Sequence, residues 1–208
     1  MLITEVVKLI DPSELNIGNA AMSSVKLYRG IQNQIPEAPG HKSVQDIRTD
    51  RRLLDSSPLM GETFDLFMQA LGVPMRKANT ASVTTKLHQT IGYGAPCRVF
   101  PINGTSYLYS EVVKDFIRIS REIRLIAAEA IVGSTPNVSV VDVTSYLDDI
   151  LSKNKPAFVQ YIKDHANELQ QTYKMKMTTN VNQLKNAAGE ILLYGTPHFL
   201  AIRLKDTY

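Results

Sequence analysis

A single cysteine, Cys97, stands in a chain of 208 residues. No disulfide can therefore close within the chain, no thiolate cluster offers itself to zinc, and a reducing compartment is expected. The four histidines, His41, His88, His165 and His198, are scattered without an HExxH motif or other ligand spacing, so no metal is expected. No apolar run reaches the roughly 20 residues that cross a bilayer. The opening MLITEVVKLIDPSEL lacks a basic leading region and a small-residue cleavage site, so a signal peptide is not expected, and a soluble, cytoplasmic protein without a membrane partner is. Basic charge is thinly spread: 23 Lys and Arg against 20 Asp and Glu leave +3, without the clustered excess of a dedicated nucleic-acid binder. Repeats and low-complexity segments are missing too. What remains, 44% hydrophobic and 21% charged, suits one compact domain over 1–208, with or without a sizeable insertion.

The elements alternate between strand-like and helical pieces. SVKLYRG (24–30) alternates apolar and polar residues and stops at Gly30, which predicts a strand. The polar, Pro-containing segment 32–57 reads as a long loop or flap. ETFDLFMQALG places Phe64, Phe67, Met68 and Leu71 at helical spacing with Gly72 as C′ residue. TASVTT, CRVFPI and TSYLYS are short and β-rich, and Asn103-Gly104 predicts a hairpin between the last two. Val112, Phe116, Ile119, Ile123, Ile126 and Ala130 then recur at steps of three and four, predicting one long helix capped by Ser110 and closed by Gly133. Lys114, Arg118, Arg121 and Arg124 give it a basic face, to be read either as solvated or as a surface for an acidic target. A short helix is expected around 146–151 and a longer one from Pro156 through Phe158, Ile162, Leu169 and Tyr173. Strands return at Glu190 and Phe199. The order predicts a mixed α+β fold whose β portions pair across a mainly helical insertion at about 110–178.

Three stretches combine chemistry with position. In KLYRG, Arg29 ends a strand and Gly30 follows, so a guanidinium suited to phosphate oxygens stands beside main chain stripped of side-chain bulk. In ASVTTKLHQTIGYG, Ser82 and Thr84 share one strand face while Thr85 points the other way. In GEILLYGTPHFLAI, Glu190 opens a late apolar strand.

The order of Arg, Ser/Thr strand and strand-opening Glu resembles the mono-ADP-ribosyltransferases, and RKANTASVTTKLHQTIGYGAPCRVFPINGTSYLYSEVVKDF resembles a phage-encoded group related to them. The likeness covers 25–116 and 180–204 and leaves the middle helices unmatched. It implies a split β-sheet core with a helical insertion, and an enzyme that takes NAD as substrate, breaks the nicotinamide–ribose bond without a metal and moves ADP-ribose to a macromolecular acceptor. If the chain is phage-encoded, the resemblance implies a host protein as acceptor and the host cytoplasm, or association with the virion, as location. By the same resemblance Glu190, Arg29 and Thr84 are the catalytic set. Arg29, Gly30, Tyr28, Ser82, Thr84, Thr85, Tyr93 and Phe100 would contact NAD, Arg29 through its phosphates or nicotinamide ribose and the aromatic rings through nicotinamide or adenine.

The chain departs from the family pattern in two ways. Thr84 best matches the leading Ser of the family's Ser-Thr-Ser, but Ser82 lies on the same face and either hydroxyl is open as the partner of Glu190. Ala188 stands where arginine-modifying members carry a second Glu, which leaves an arginine acceptor without a partner. A different side chain, a nucleic acid or water is expected as the acceptor. Water in that role would make the chain an NAD glycohydrolase, and a non-catalytic phage structural or accessory protein keeping the fold is the alternative to an enzyme.

Overall fold

The computed structural model describes residues 17, 21–31, 39–47, 58–74, 79–133 and 143–205. Within them the chain is mixed α+β, built on one open antiparallel sheet of eight strands. The strands are β1 (Leu27–Ile31), β2 (Lys42–Asp46), β3 (Ala81–Thr84), β4 (Ala95–Pro101), β5 (Ser106–Ser110), β6 (Met175–Thr178), β7 (Glu190–Tyr194) and β8 (His198–Arg203). Their order across the sheet is β2-β8-β4-β1-β3-β7-β5-β6. At its middle β1 and β3 share one Cα-partner pair, Tyr28 with Thr84, whereas β1 matches β4 over five pairs and β3 matches β7 over four. Two four-stranded halves therefore meet at a narrow joint.

One face of the sheet is filled by residues from both halves. Leu27, Cys97, Val99, Phe199 and Ala201 from one half pack with Ala81, Val83, Tyr107, Ile191 and Leu193 from the other, and Leu184 of the 3₁₀ segment Val181–Asn186 joins them. The second core lies between the helices and the opposite face, where Leu108 and Leu192 meet Phe64, Phe67, Phe116, Ile123, Phe158 and Ile162. Period-two alternation explains the division: Leu192 enters the helical core while its neighbours Ile191 and Leu193 enter the other.

The helices are α1 (Pro58–Ala70), α2 (Phe116–Val132), α3 (Val143–Lys153) and α4 (Lys155–Thr172). Gly72 at φ 70° ends the turn after α1 as expected. α4 starts with Pro in its first positions and buries Phe158, Ile162 and Leu169, the stripe its spacing predicts. α2 differs from expectation at its start. Asp115 is the N-cap, accepting from the Ile117 amide, while Ser110 belongs to β5, donates to the Tyr173 carbonyl and accepts from Val112 and Val113. A serine hydroxyl bonds local backbone as readily in such a turn as at a helix cap. Val112 is consequently exposed, as is Ile126, and the buried face of α2 runs through Phe116, Ile119, Ile123, Arg124, Ala127 and Ala128.

Two further expectations are corrected. Segment 32–57 is not loop throughout, because Lys42–Asp46 forms edge strand β2 against β8; KSVQD has only one strongly apolar residue, so its pattern hid the strand. Residues 32–38 and 48–57 lie outside the described set. Asn103-Gly104 does make a turn, with Gly104 at φ 93°, but β4 and β5 do not pair. β4 lies between β8 and β1 and β5 between β7 and β6, so the turn passes the chain from one half of the sheet to the other. No helix among the described residues is long and apolar enough to cross a membrane.

Candidate functional site

The joint between the halves gathers the residues that the sequence singles out. Tyr28 on β1 is the Cα partner of Thr84 on β3, and Thr84 is the partner of Glu190 on β7. Directly opposed residues share a face, so Tyr28, Thr84 and Glu190 form a row across three strands, with Ser82 two residues back on the same side. Arg29 is next to Tyr28 and alternates away from that row, yet its Nη1 crosses the joint to donate to the Ser82 carbonyl at 2.6 Å.

Glu190 is held from several directions. Its Oε1 accepts from Ser82 Oγ at 2.6 Å and its Oε2 from the Phe116 amide at 2.9 Å. Its own amide donates to the Lys114 carbonyl at 2.8 Å. The carboxylate thus sits at the first turn of α2, where unsatisfied amides and the helix dipole attract negative charge. Gly189 permits this approach: a β-carbon there would lie 2.4 Å from the Lys114 carbonyl oxygen. Just upstream, the Ala188 amide donates to the Ser110 carbonyl and the Ala188 carbonyl accepts from Lys86 Nζ at 3.0 Å.

The two hydroxyls left open by the sequence have different jobs. Ser82 bonds Glu190, whereas Thr84 Oγ1 donates to Gln89 Oε1 at 2.6 Å and accepts from the Lys86 amide. Of the two, Ser82 is therefore the hydroxyl that meets the glutamate, and Thr84 is not. Although it stands directly opposite Glu190, its side chain is committed to the 3₁₀ turn Leu87–Thr90 that follows β3. Thr85 lies at the bend between them.

The remaining predicted residues surround this centre. What comes close to Gly30 is the chain's own segment: a β-carbon there would sit 2.7 Å from Tyr93 Cβ and 2.8 Å from the Thr90 carbonyl oxygen. Tyr93 projects outward at 68% exposure, between Gly92 and Gly94, both at positive φ. Tyr28 is half-buried. Phe100 is buried, and the Arg98 guanidinium lies 4.6 Å from its ring centroid in a cation–π contact. Since Arg98 is the Cα partner of Tyr28, the row continues into a fourth strand.

Lys86, Lys114 and Phe116 were not singled out by the sequence as members of this site. The two lysines resemble any surface lysine, and Phe116 takes part through its amide, which no side-chain pattern encodes. Among the described residues no group of three or more His, Cys, Asp and Glu is placed to hold a metal ion. No family model, no curated protein and no solved structure matches this chain.

Proposed function

We propose that the chain is a mono-ADP-ribosyltransferase that uses NAD as its substrate, on an α+β core of the ADP-ribosyltransferase type. The observation that carries the reading is the convergence of three residues from three strands: Ser82 hydroxyl on Glu190 at 2.6 Å, and Arg29 guanidinium on the Ser82 carbonyl at 2.6 Å. Arg, Ser and Glu in that chain order are the residues the family resemblance names, and they lie 53 and 108 positions apart in sequence.

Breaking the nicotinamide–ribose bond leaves an oxocarbenium-like carbon, and a fixed carboxylate beside that carbon stabilises the developing charge. Glu190 has this role in the proposal, with Ser82 holding it in one rotamer. Arg29 supplies a planar cation for the NAD phosphates. Tyr93, exposed beside the joint, offers a ring face to nicotinamide or adenine. Nicotinamide leaves as a neutral molecule, so no general acid is required at the leaving group. ADP-ribose then passes to a macromolecular acceptor, a host protein in the cytoplasm if the chain is phage-encoded. Water as acceptor gives the glycohydrolase variant.

A second reading rests on the Phe116 amide at Glu190 Oε2. A carboxylate that fastens the start of a helix to a strand is sufficient as a structural staple, in a protein that performs no chemistry. Glu190→Gln separates the two, because the amide keeps an oxygen acceptor and the side-chain shape while losing the charge. The transferase reading predicts that nicotinamide release from NAD falls on the order of 100-fold or more with little change in melting temperature. A native protein that releases no nicotinamide, in the presence or absence of a cell lysate, would leave the staple as the role of Glu190.

A further inference from the structure

Resting on the transferase reading, we infer that the acceptor is a carboxylate on a protein or peptide, bound by Lys86. The position two residues ahead of Glu190 is Ala188, which has no group able to take a proton from an incoming nucleophile. A guanidinium, a hydroxyl or a water must each lose a proton to form a bond to ribose. A carboxylate is already anionic at neutral pH and loses none.

The surroundings have the matching charge. Lys86 Nζ lies 3.0 Å from the Ala188 carbonyl. Its ammonium carries three donors, of which this contact uses one. Lys114 and Lys185, both exposed, flank the same segment: the Lys114 carbonyl accepts from the Glu190 amide, and Lys185 lies in the last turn of the 3₁₀ segment leading to Ala188. Of the acidic side chains near this segment, Asp115 is turned to the start of α2, where it accepts from the Ile117 amide, Glu111 pairs with Lys176, and Glu190 accepts from Ser82 and Phe116. An anion reaching the Ala188 carbonyl meets the Lys86 ammonium there.

The transfer balances without a base. One carboxylate oxygen of the acceptor forms a bond to the anomeric carbon of the nicotinamide ribose while the carbon–nitrogen bond breaks. The bonding pair leaves on the ring nitrogen, converting the pyridinium to neutral nicotinamide, and the carboxylate charge is consumed in the ester formed. No proton moves.

The test uses the full chain, labelled NAD and two peptides of equal length, one glutamate-rich and one arginine-rich, with nicotinamide release followed alongside. The expected result is label on the acidic peptide, removed by neutral hydroxylamine as an ester should be. Lys86→Glu should lower transfer to the acidic peptide about tenfold or more, the loss of one charge-assisted hydrogen bond, and raise transfer to the basic one. Lys86→Arg should retain the acidic preference. Unchanged melting temperatures, expected at an exposed residue, identify these as effects on recognition. Label on the arginine peptide, or an unaltered preference in Lys86→Glu, overturns the carboxylate assignment and leaves the transferase reading standing, whereas nicotinamide release with neither peptide labelled overturns the assignment and leaves the glycohydrolase variant. No nicotinamide release by the native chain overturns both.

Discussion

Gly189 lies so near the chain ahead of α2 that an added methyl group would have to displace main chain, since the atoms in its way are the carbonyl oxygen, Cα and carbonyl carbon of Lys114. Backbone cannot swing aside as a long side chain does. Gly189→Ala is therefore expected to cost at least the 1–3 kcal/mol typical of overpacking and to shift Glu190 away from Ser82, so that melting temperature and nicotinamide release fall together. Glu190→Gln should lower release alone, and the pair of variants distinguishes position from charge. KNAAGEILLYG shows one carboxylate entering a strand, but the need for glycine ahead of it comes from a segment 75 residues earlier in the chain (189 − 114 = 75).

α2 carries the clearest case of an element read correctly in period and wrongly in face. Its repeat of apolar residues announced a helix, yet Arg124, expected on a basic outer face, is fully buried and paired with Asp148 of α3. Burial lowers the Arg124 pKa and the Asp148 carboxylate opposes that shift. Arg124 Nε and Nη1 have no hydrogen-bond partner, so the pair is incompletely satisfied and contributes less than its Coulomb attraction implies. Asp148→Asn leaves a buried cation with a weaker partner and should cost about 3 kcal/mol, toward the low end for a broken buried pair because Asp148 is 31% exposed. Joint replacement by Arg124→Met and Asp148→Leu removes both charges and the two unpartnered nitrogens, and its stability should lie within about 1 kcal/mol of native or above it. Urea denaturation of the three proteins decides this. No one-dimensional pattern separates Arg124 from the exposed Arg118, which pairs with Glu122 one turn on; the difference is made by where α3 packs.

Across the molecule, both cores hold groups that resist ionisation. Burial pushes the Cys97 thiol from its ordinary 9.0 to about 11 and the Tyr107 hydroxyl from 10.0 to about 12, both in the core shared by the sheet halves. Tyr173, in the helical core, is likewise raised to about 12, by burial and then by the charge of Glu122. Each group keeps its proton in the folded chain at pH values where the unfolded chain has lost it. Folding there takes up protons, so stability is full below about pH 9 and falls as pH rises, first with Cys97 between 9.0 and about 11, then with the tyrosines between 10.0 and about 12. Each group adds a slope of about 1.4 kcal/mol per pH unit within its window. Cys97→Ala should flatten the first part of that decline, which denaturant unfolding at stepped alkaline pH measures.

Local chemistry in the sequence was enough to determine most elements of this protein: the stripe of α4, the glycine after α1, the short β-rich runs, and a turn at Asn103-Gly104, each governed by neighbours within a few residues. It also marked Arg29, Ser82 and Glu190, although it could not choose between Ser82 and Thr84. Tertiary structure made that choice, because Thr84 is drawn to Gln89 while Ser82 meets Glu190 across the strand pair. It likewise decided that the 103–104 turn joins two sheet halves, that KSVQD is an edge strand, that Arg124 is inside, and that a lysine stands beside Ala188. These outcomes depend on which segments become neighbours in space, and periodicity within one segment contains no term for the identity of the segment that packs against it.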